Sequence, residues 1–181
     1  MSIKDKYIRV RPYIKDGDLI LFRGRSLLSR IIQWSDKAHY NHIGVVINKF
    51  GALYIVDSNE KGVQADRLSW RISKYRGGDF AVVQAITTDM ELRYELHRLL
   101  NKSDDKWIKY DYLNGFKELL NRAFKLKLRI TKRDEHDICS DYVSEYAVGL
   151  KMVTEEFTKR PIQFPQDYMR YRDLHNTIII N

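Results

Sequence analysis

The chain has 181 residues, one cysteine, a net charge of +8 and an isoelectric point near 9.5. That length suits one domain spanning 1–181 rather than two, and an aromatic content of 12% argues against disorder as the dominant state. The lone cysteine excludes an internal disulfide framework and a thiolate zinc site within one chain, and no stretch reaches the ~20 apolar residues of a membrane span.

The N-terminus, Met1 to Lys6, leads into no apolar block with a cleavage site, so no secretory signal is read and the expected address is the cytosol. Asp16-Gly17-Asp18 followed by Leu19 to Phe22 reads as a turn entering a buried strand. Ser26 is a candidate N-cap for a helix carrying Leu27, Leu28, Ile31 and Ile32 at helical spacing. Three β-like runs follow: His42–Ile47, Ala52–Asp57 and Gly62–Ala65. Their short connections imply an antiparallel meander. Gly77-Gly78 opens a further strand over Asp79–Ile86.

Helical spacing then runs from Thr88 to Leu100, from Tyr112 to Phe124 and from about Ile138 to Val148. Pro165 opens a short helix, Gln166–Tyr171, and the β-branched run Thr177–Ile180 suits an edge strand. Strands clustered early and helices clustered late predict an α+β domain.

Three residues carry candidate chemistry. Cys139 falls at the first turn of its helix, where free N–H groups and the helix dipole favour a thiolate and can stabilise an oxyanion. His42 stands at the start of an apolar strand, a rigid support for an imidazole, with Gly44 keeping the strand surface low. Asp57 ends the neighbouring strand, within reach of that imidazole, and Ser58 and Asn59 compete with it for the orienting role. Taken alone, Cys139 reads as a buried packing residue and His42 as a structural histidine. Acting together, they should bring the sulfur and a ring nitrogen within about 4 Å.

The combination Gly17-Asp18-Leu19-Ile20-Leu21-Phe22, Tyr40-Asn41-His42-Ile43-Gly44-Val45-Val46, Tyr54-Ile55-Val56-Asp57-Ser58, Lys109-Tyr110-Asp111-Tyr112 and Cys139-Ser140-Asp141-Tyr142-Val143 resembles the YiiX-like group. These are circularly permuted papain-like hydrolases of the NlpC superfamily, related to the lecithin–retinol acyltransferase group. The likeness covers Gly17 to about Tyr168, and the order, His42 before Cys139, matches the permuted form. It implies a permuted papain-like α+β domain with an antiparallel sheet packed against helices and the catalytic Cys at a helix N-terminus. Cys139 would attack an amide or ester carbonyl, His42 would take its proton, and an acidic or polar residue, Asp57 foremost, would orient His42. Tyr40 and Ser58 are weaker candidates for the substrate or oxyanion site.

No metal and no cofactor are expected. His39, His97, His136 and His175 have no metal-site spacing; His97 should face solvent, and His136 is a lesser rival base. The segment Lys117–Arg133 is rich in Lys and Arg, and its half Lys125–Ile130 alternates charged and apolar residues with period two, a strand or extended pattern. It reads as a solvated basic face or as a surface for anionic lipid or cell-wall polymer. Nucleic acid is disfavoured because no recognised module accompanies the charge. The substrate expected is a peptide, amide or acyl-lipid. The rival reading is a catalytically silent module of the same fold that binds an anionic surface.

Overall fold

A computed structural model of the chain describes residues 1–35, 37–59, 62–104, 109–110, 112–130, 136–137, 139–159, 165–171 and 177–180. The first helix, α1 (Ile3–Val10), is opened by a capping box in which the Asp5 N–H donates to Ser2 Oγ and the Ser2 N–H donates to Asp5 Oδ2. A 3-10 turn (Arg11–Tyr13) leads through Gly17, at φ 85°, into β1 (Leu19–Arg23). In α2 (Leu27–Ser35) the Ser29 N–H donates to Ser26 Oγ at 3.1 Å, which bears out the expected cap. Next come β2 (His42–Lys49) and β3 (Ala52–Asn59), joined through Phe50 and Gly51, and then β4 (Gly62–Arg67). The chain continues through α3 (Leu68–Lys74), β5 (Asp79–Ala85), α4 (Asp89–Asp104), β6 (Lys109–Tyr110) and α5 (Tyr112–Phe124). It ends with β7 (His136–Asp137), α6 (Cys139–Gly149), a 3-10 turn (Glu155–Lys159), α7 (Pro165–Tyr171) and β8 (Thr177–Ile180).

Six of these strands form one antiparallel sheet in the order β4-β3-β2-β1-β5-β8, the edge role expected for Thr177–Ile180 being taken by β8. Both faces are covered, which is why Leu19-Ile20-Leu21-Phe22 is apolar without alternation. On one face Leu19, Leu21, Ile43, Val45 and Val56 pack against Tyr142, Val143 and Tyr146 of α6 and Leu96 and Leu99 of α4. On the other, Ile20, Phe22, Val46, Ile55 and Val82 meet α1 and, through Leu68 and Ile72, α3. Each such side chain contributes roughly 1.5–3 kcal/mol of burial free energy. The architecture is a mixed α+β domain.

Two buried phenols pin α6: the Tyr146 hydroxyl donates to Gly17 O at 2.6 Å and that of Tyr142 to Leu99 O at 3.2 Å. The alternating half of the basic segment forms no strand. After α5 the backbone reverses at Lys125 (φ 55°), and Asn121 brackets Leu128 by accepting from its N–H at 2.8 Å and donating to its carbonyl at 3.1 Å. An Asn side chain there supplies the hydrogen bonds a neighbouring strand would have given.

Candidate active site

Strand alternation settles which side chains share a face. Ile43, Val45 and Ile47 of β2 belong to the α6 side, whereas Val46 belongs to the α3 side together with its even-numbered companions Gly44 and His42. His42 pairs across the ladder with Phe22, and the two rings lie 6.2 Å apart. The register that pairs Val45 with Val56 carries Asp57 to the same face beside the start of β2. Gly44 leaves the space between: a Cβ there would lie 2.7 Å from the Ile55 side chain.

The His42 Nε2 to Asp57 Oδ2 distance is 2.7 Å. A carboxylate only accepts, so Nε2–H donates and Nδ1 is the nitrogen left for proton exchange. Asp57 is fully buried, and a buried carboxylate needs compensation. Arg71 supplies it, its Nη2 donating to Asp57 Oδ1 at 2.8 Å and to Asp66 Oδ2 at 2.7 Å, while Asn59 Nδ2 donates to Asp57 Oδ1 at 3.3 Å. Of the three candidates for orienting the imidazole, Asp57 is the one bonded to it. Asn59 supports Asp57, and alternation turns the buried Ser58 toward the α6 face.

Arg71 lies on α3 and Tyr75 forms its C-cap, four residues apart and so on one side of the helix. Tyr75 stacks on Phe22, ring centroids 4.4 Å apart at 14°, and its ring lies 6.4 Å from that of His42 at 22°. The turn after it is fixed by a hydrogen bond from the Gly78 N–H to Tyr75 O at 2.8 Å. A Cβ on Gly78 would come within 2.0 Å of Arg23 O, so only glycine lets this turn lie against β1.

Neither Arg71 nor Tyr75 was among the residues expected from the sequence. Their helix is seven residues long, has no side-chain cap and shows only Leu68 and Ile72 at apolar i, i+4 spacing before the stop at Gly77-Gly78. That spacing, with Arg71 and Tyr75 beside it, is the one local cue to a helix there.

Cys139 is the first residue of α6 and is buried at 3% exposure, in the cluster that holds Tyr40, Ile43 and Val45. The thiol thus comes from the α6 side of the sheet and the imidazole from the α3 side. Among the described residues no hydrogen bond joins Cys139 to His42. The two nonetheless lie within electrostatic reach. Burial pushes the His42 pKa down, but electrostatic interaction with Tyr75, Cys139 and Asp57, with the Asp57 hydrogen bond, holds it well above 6.5. The same neighbourhood acts on Tyr75, whose phenol is raised first by burial and is lowered by the His42 charge. The first turn of α6 is held from outside by the Tyr168 hydroxyl, which donates to Ser140 O.

Tyr40, a candidate for the substrate or oxyanion site, is buried in the cluster that also holds Cys139. Its pKa is pushed up to about 12 by burial and by Asp79, with Arg23 opposing, and its ring lies edge-on to His39. The tyrosine beside the imidazole is Tyr75. His97 is exposed on α4 as expected, the side chain of His136 lies outside the described residues, and so does His175. Of the basic segment, Arg122 is drawn into ion pairs with Glu118 and Asp167, while Lys125, Lys127 and Arg129 are exposed; residues 131–133 lie outside the described residues.

No family model matches the chain, and no curated protein matches it. Among solved structures it matches the crystal structure of the metalloprotein yiiX from Escherichia coli O157:H7 (DUF1105), with a TM-score of 0.65 and 15% sequence identity, over 92% of this chain and 96% of that one. The fold is YiiX-like. The YiiX description raises the question of a metal. Among the described residues of this chain no group of three or more His, Cys, Asp or Glu is arranged to hold one. The Asp57 oxygens are already engaged by His42, Arg71 and Asn59, and a guanidinium against that carboxylate repels a second cation. The described residues of this site therefore do not fit a metal ion.

Proposed function

We propose that the protein is a thiol-dependent hydrolase of the permuted papain-like, NlpC-type arrangement, acting on an amide or ester carbonyl. The observation that carries this reading is the buried His42–Asp57 pair, 2.7 Å apart, with the only cysteine of the chain at a helix N-terminus and in electrostatic contact with the imidazole. In the proposed cycle His42 Nδ1 takes the Cys139 proton and the thiolate attacks the carbonyl carbon. N–H groups at the start of α6 receive the oxyanion. The imidazolium returns its proton to the leaving amine or alcohol, which departs and leaves a thioester on Cys139. Water, or an amine acceptor, deprotonated by His42, then releases the acyl group.

Asp57 keeps the Nε2–H of His42 fixed, so that Nδ1 is the nitrogen that exchanges protons. Arg71, donating to Asp57 Oδ1, holds that buried carboxylate in place. A raised His42 pKa suits this cycle because the imidazolium must persist until the leaving group is protonated. The substrate classes compatible with this chemistry are a cell-wall peptide amide and an acyl-lipid.

The test is to trap the thioester. Incubation with an activated acyl ester should add one acyl group to Cys139, located by peptide mass spectrometry. The adduct should be absent from Cys139→Ser and at least about a hundredfold slower to form in His42→Ala. Acylation and alkylation of Cys139 at the rate of an ordinary free thiol, unchanged in His42→Ala, would overturn the reading.

A further inference from the structure

The outer face of α2 is apolar and bare. Leu27, Ile31 and Trp34 recur at i, i+4 and i+7, one stripe of the helix, and they are exposed, Leu27 at 77% and Trp34 at 66%. The stripe does not end with its own helix. The α2 and α5 helices pack together, and the Trp34 ring lies 6.0 Å from that of Phe124, which is itself 59% exposed at the end of α5. Beyond Phe124 the segment 125–130, pinned by Asn121, presents exposed Leu126 and Leu128 between exposed Lys125, Lys127 and Arg129. Residues 119–130 contain no acid, and the nearest one, Glu118, is engaged by Arg122. An apolar patch with a Trp and a cationic border is the composition of a surface that lies on an anionic bilayer: the apolar side chains enter the acyl boundary and the cations meet headgroups.

The inner face of the same helix is tied to the candidate site. Gln33 Nε2 donates to Gly24 O at 2.8 Å and to Asn41 Oδ1 at 3.1 Å, and Asn41 Nδ2 donates to Ser29 Oγ at 3.0 Å. Asn41 immediately precedes His42. A bilayer under α2 would therefore lie one helix thickness from the strand start that holds the imidazole.

We infer that the α2 stripe, Phe124 and the 125–130 segment form a docking surface for an anionic lipid bilayer, and that the site beside it takes the acyl-lipid rather than the cell-wall peptide of the two substrate classes. The choice of substrate rests on the hydrolase reading; the docking does not. The experiment is sedimentation of the full chain, as Cys139→Ser, with vesicles of phosphatidylglycerol and phosphatidylcholine, and with phosphatidylcholine alone. Binding is expected only to the anionic vesicles and should weaken steeply with salt. It should fall about tenfold or more both in the charge reversal Lys125→Glu/Lys127→Glu/Arg129→Glu and in Trp34→Ser/Phe124→Ser. All of these residues are exposed, so a folded variant checked by circular dichroism is a fair comparison.

Absence of vesicle binding would overturn docking. So would binding that the charge reversal abolishes and the Trp34/Phe124 change leaves intact, because the apolar face would then be idle. A concentration-dependent dimer that Trp34→Ser/Phe124→Ser converts to monomer would assign the patch to a second copy instead. Since the thiol is absent throughout, failure of docking is separate from failure of the hydrolase chemistry. If vesicles bind and the wild type releases no fatty acid from them, the substrate half fails alone.

Discussion

Asp57 on β3 and Asp18 just before β1 are both buried aspartates, and their surroundings treat them differently. Asp57 has cationic company, with Arg71 on one oxygen and His42 on the other. Asp18 has only neutral donors on its bonded oxygen, the Lys15 N–H at 2.7 Å and Gln84 Nε2 at 2.8 Å. Burial therefore prevails at Asp18 and raises its pKa to about 6, although both hydrogen bonds oppose the rise. Asp18 lines a cleft of about 430 Å³ with Lys15, Gln84 and Asp89, away from the Cys139–His42 region. Of these two buried carboxylates, Asp57 is the one hydrogen-bonded by a guanidinium, which α3 delivers.

The largest effect should follow from removing the charge at Asp57. Asp57→Asn is expected to lower the rate of thioester formation about a thousandfold, because the imidazole loses the group that fixes its tautomer. Arg71→Met should destabilise the fold by roughly 3 kcal/mol or more, since it leaves Asp57 buried without its guanidinium. Urea midpoints would measure this. A wild-type midpoint in Arg71→Met would mean that the ion pair contributes nothing.

At Asp18 the sign is opposite. A folded pKa near 6 against 3.8 means that the native state holds the proton longer. Its destabilising effect is absent below about pH 4, grows as pH rises toward 6 and stands in full above that. The shift corresponds to about 3 kcal/mol at most, so Asp18→Asn should stabilise the protein at pH 7.5 by up to that amount and have little effect at pH 4. His42 loses stability in a separate, higher window. Its pKa is raised, so the contribution is complete below 6.5 and lost as pH climbs through the folded value. A stability–pH curve with these two descents, the upper one smaller in Asp57→Asn, would match the two environments.

The smallest effect separates two tyrosines. Tyr75→Phe keeps the stack on Phe22 and removes only the hydroxyl beside His42. It should slow acylation about tenfold with little change in stability, whereas Tyr40→Phe should leave the rate as it was. Equal effects from both would remove the distinction drawn between them.

Much of the fold was legible because its signals are local. The strand Leu19–Phe22, the helix Tyr112–Phe124, the Ser26 cap and the β8 edge run are each written in 13 residues or fewer, through periodicity, capping and turn chemistry. The order of His42, Asp57 and Cys139 along the chain was legible as well, and it supplied the likeness to the YiiX-like group that the fold then matched. Lys125–Ile130, whose period two suits a strand or an extended segment, lies outside the sheet, because period two records alternation but not whether a sheet edge is available to pair with it.

By itself the sequence determined which residues could carry chemistry and which elements hold them, since helix and strand periods are properties of consecutive residues. Tertiary structure alone decided what surrounds them. Arg71 reaches Asp57 from fourteen residues away, the Phe22 ring that supports Tyr75 comes from another strand, and Cys139 and His42 approach from opposite faces of one sheet. Charge compensation and pKa depend on distance through space and on burial, and neither is a function of distance along the chain.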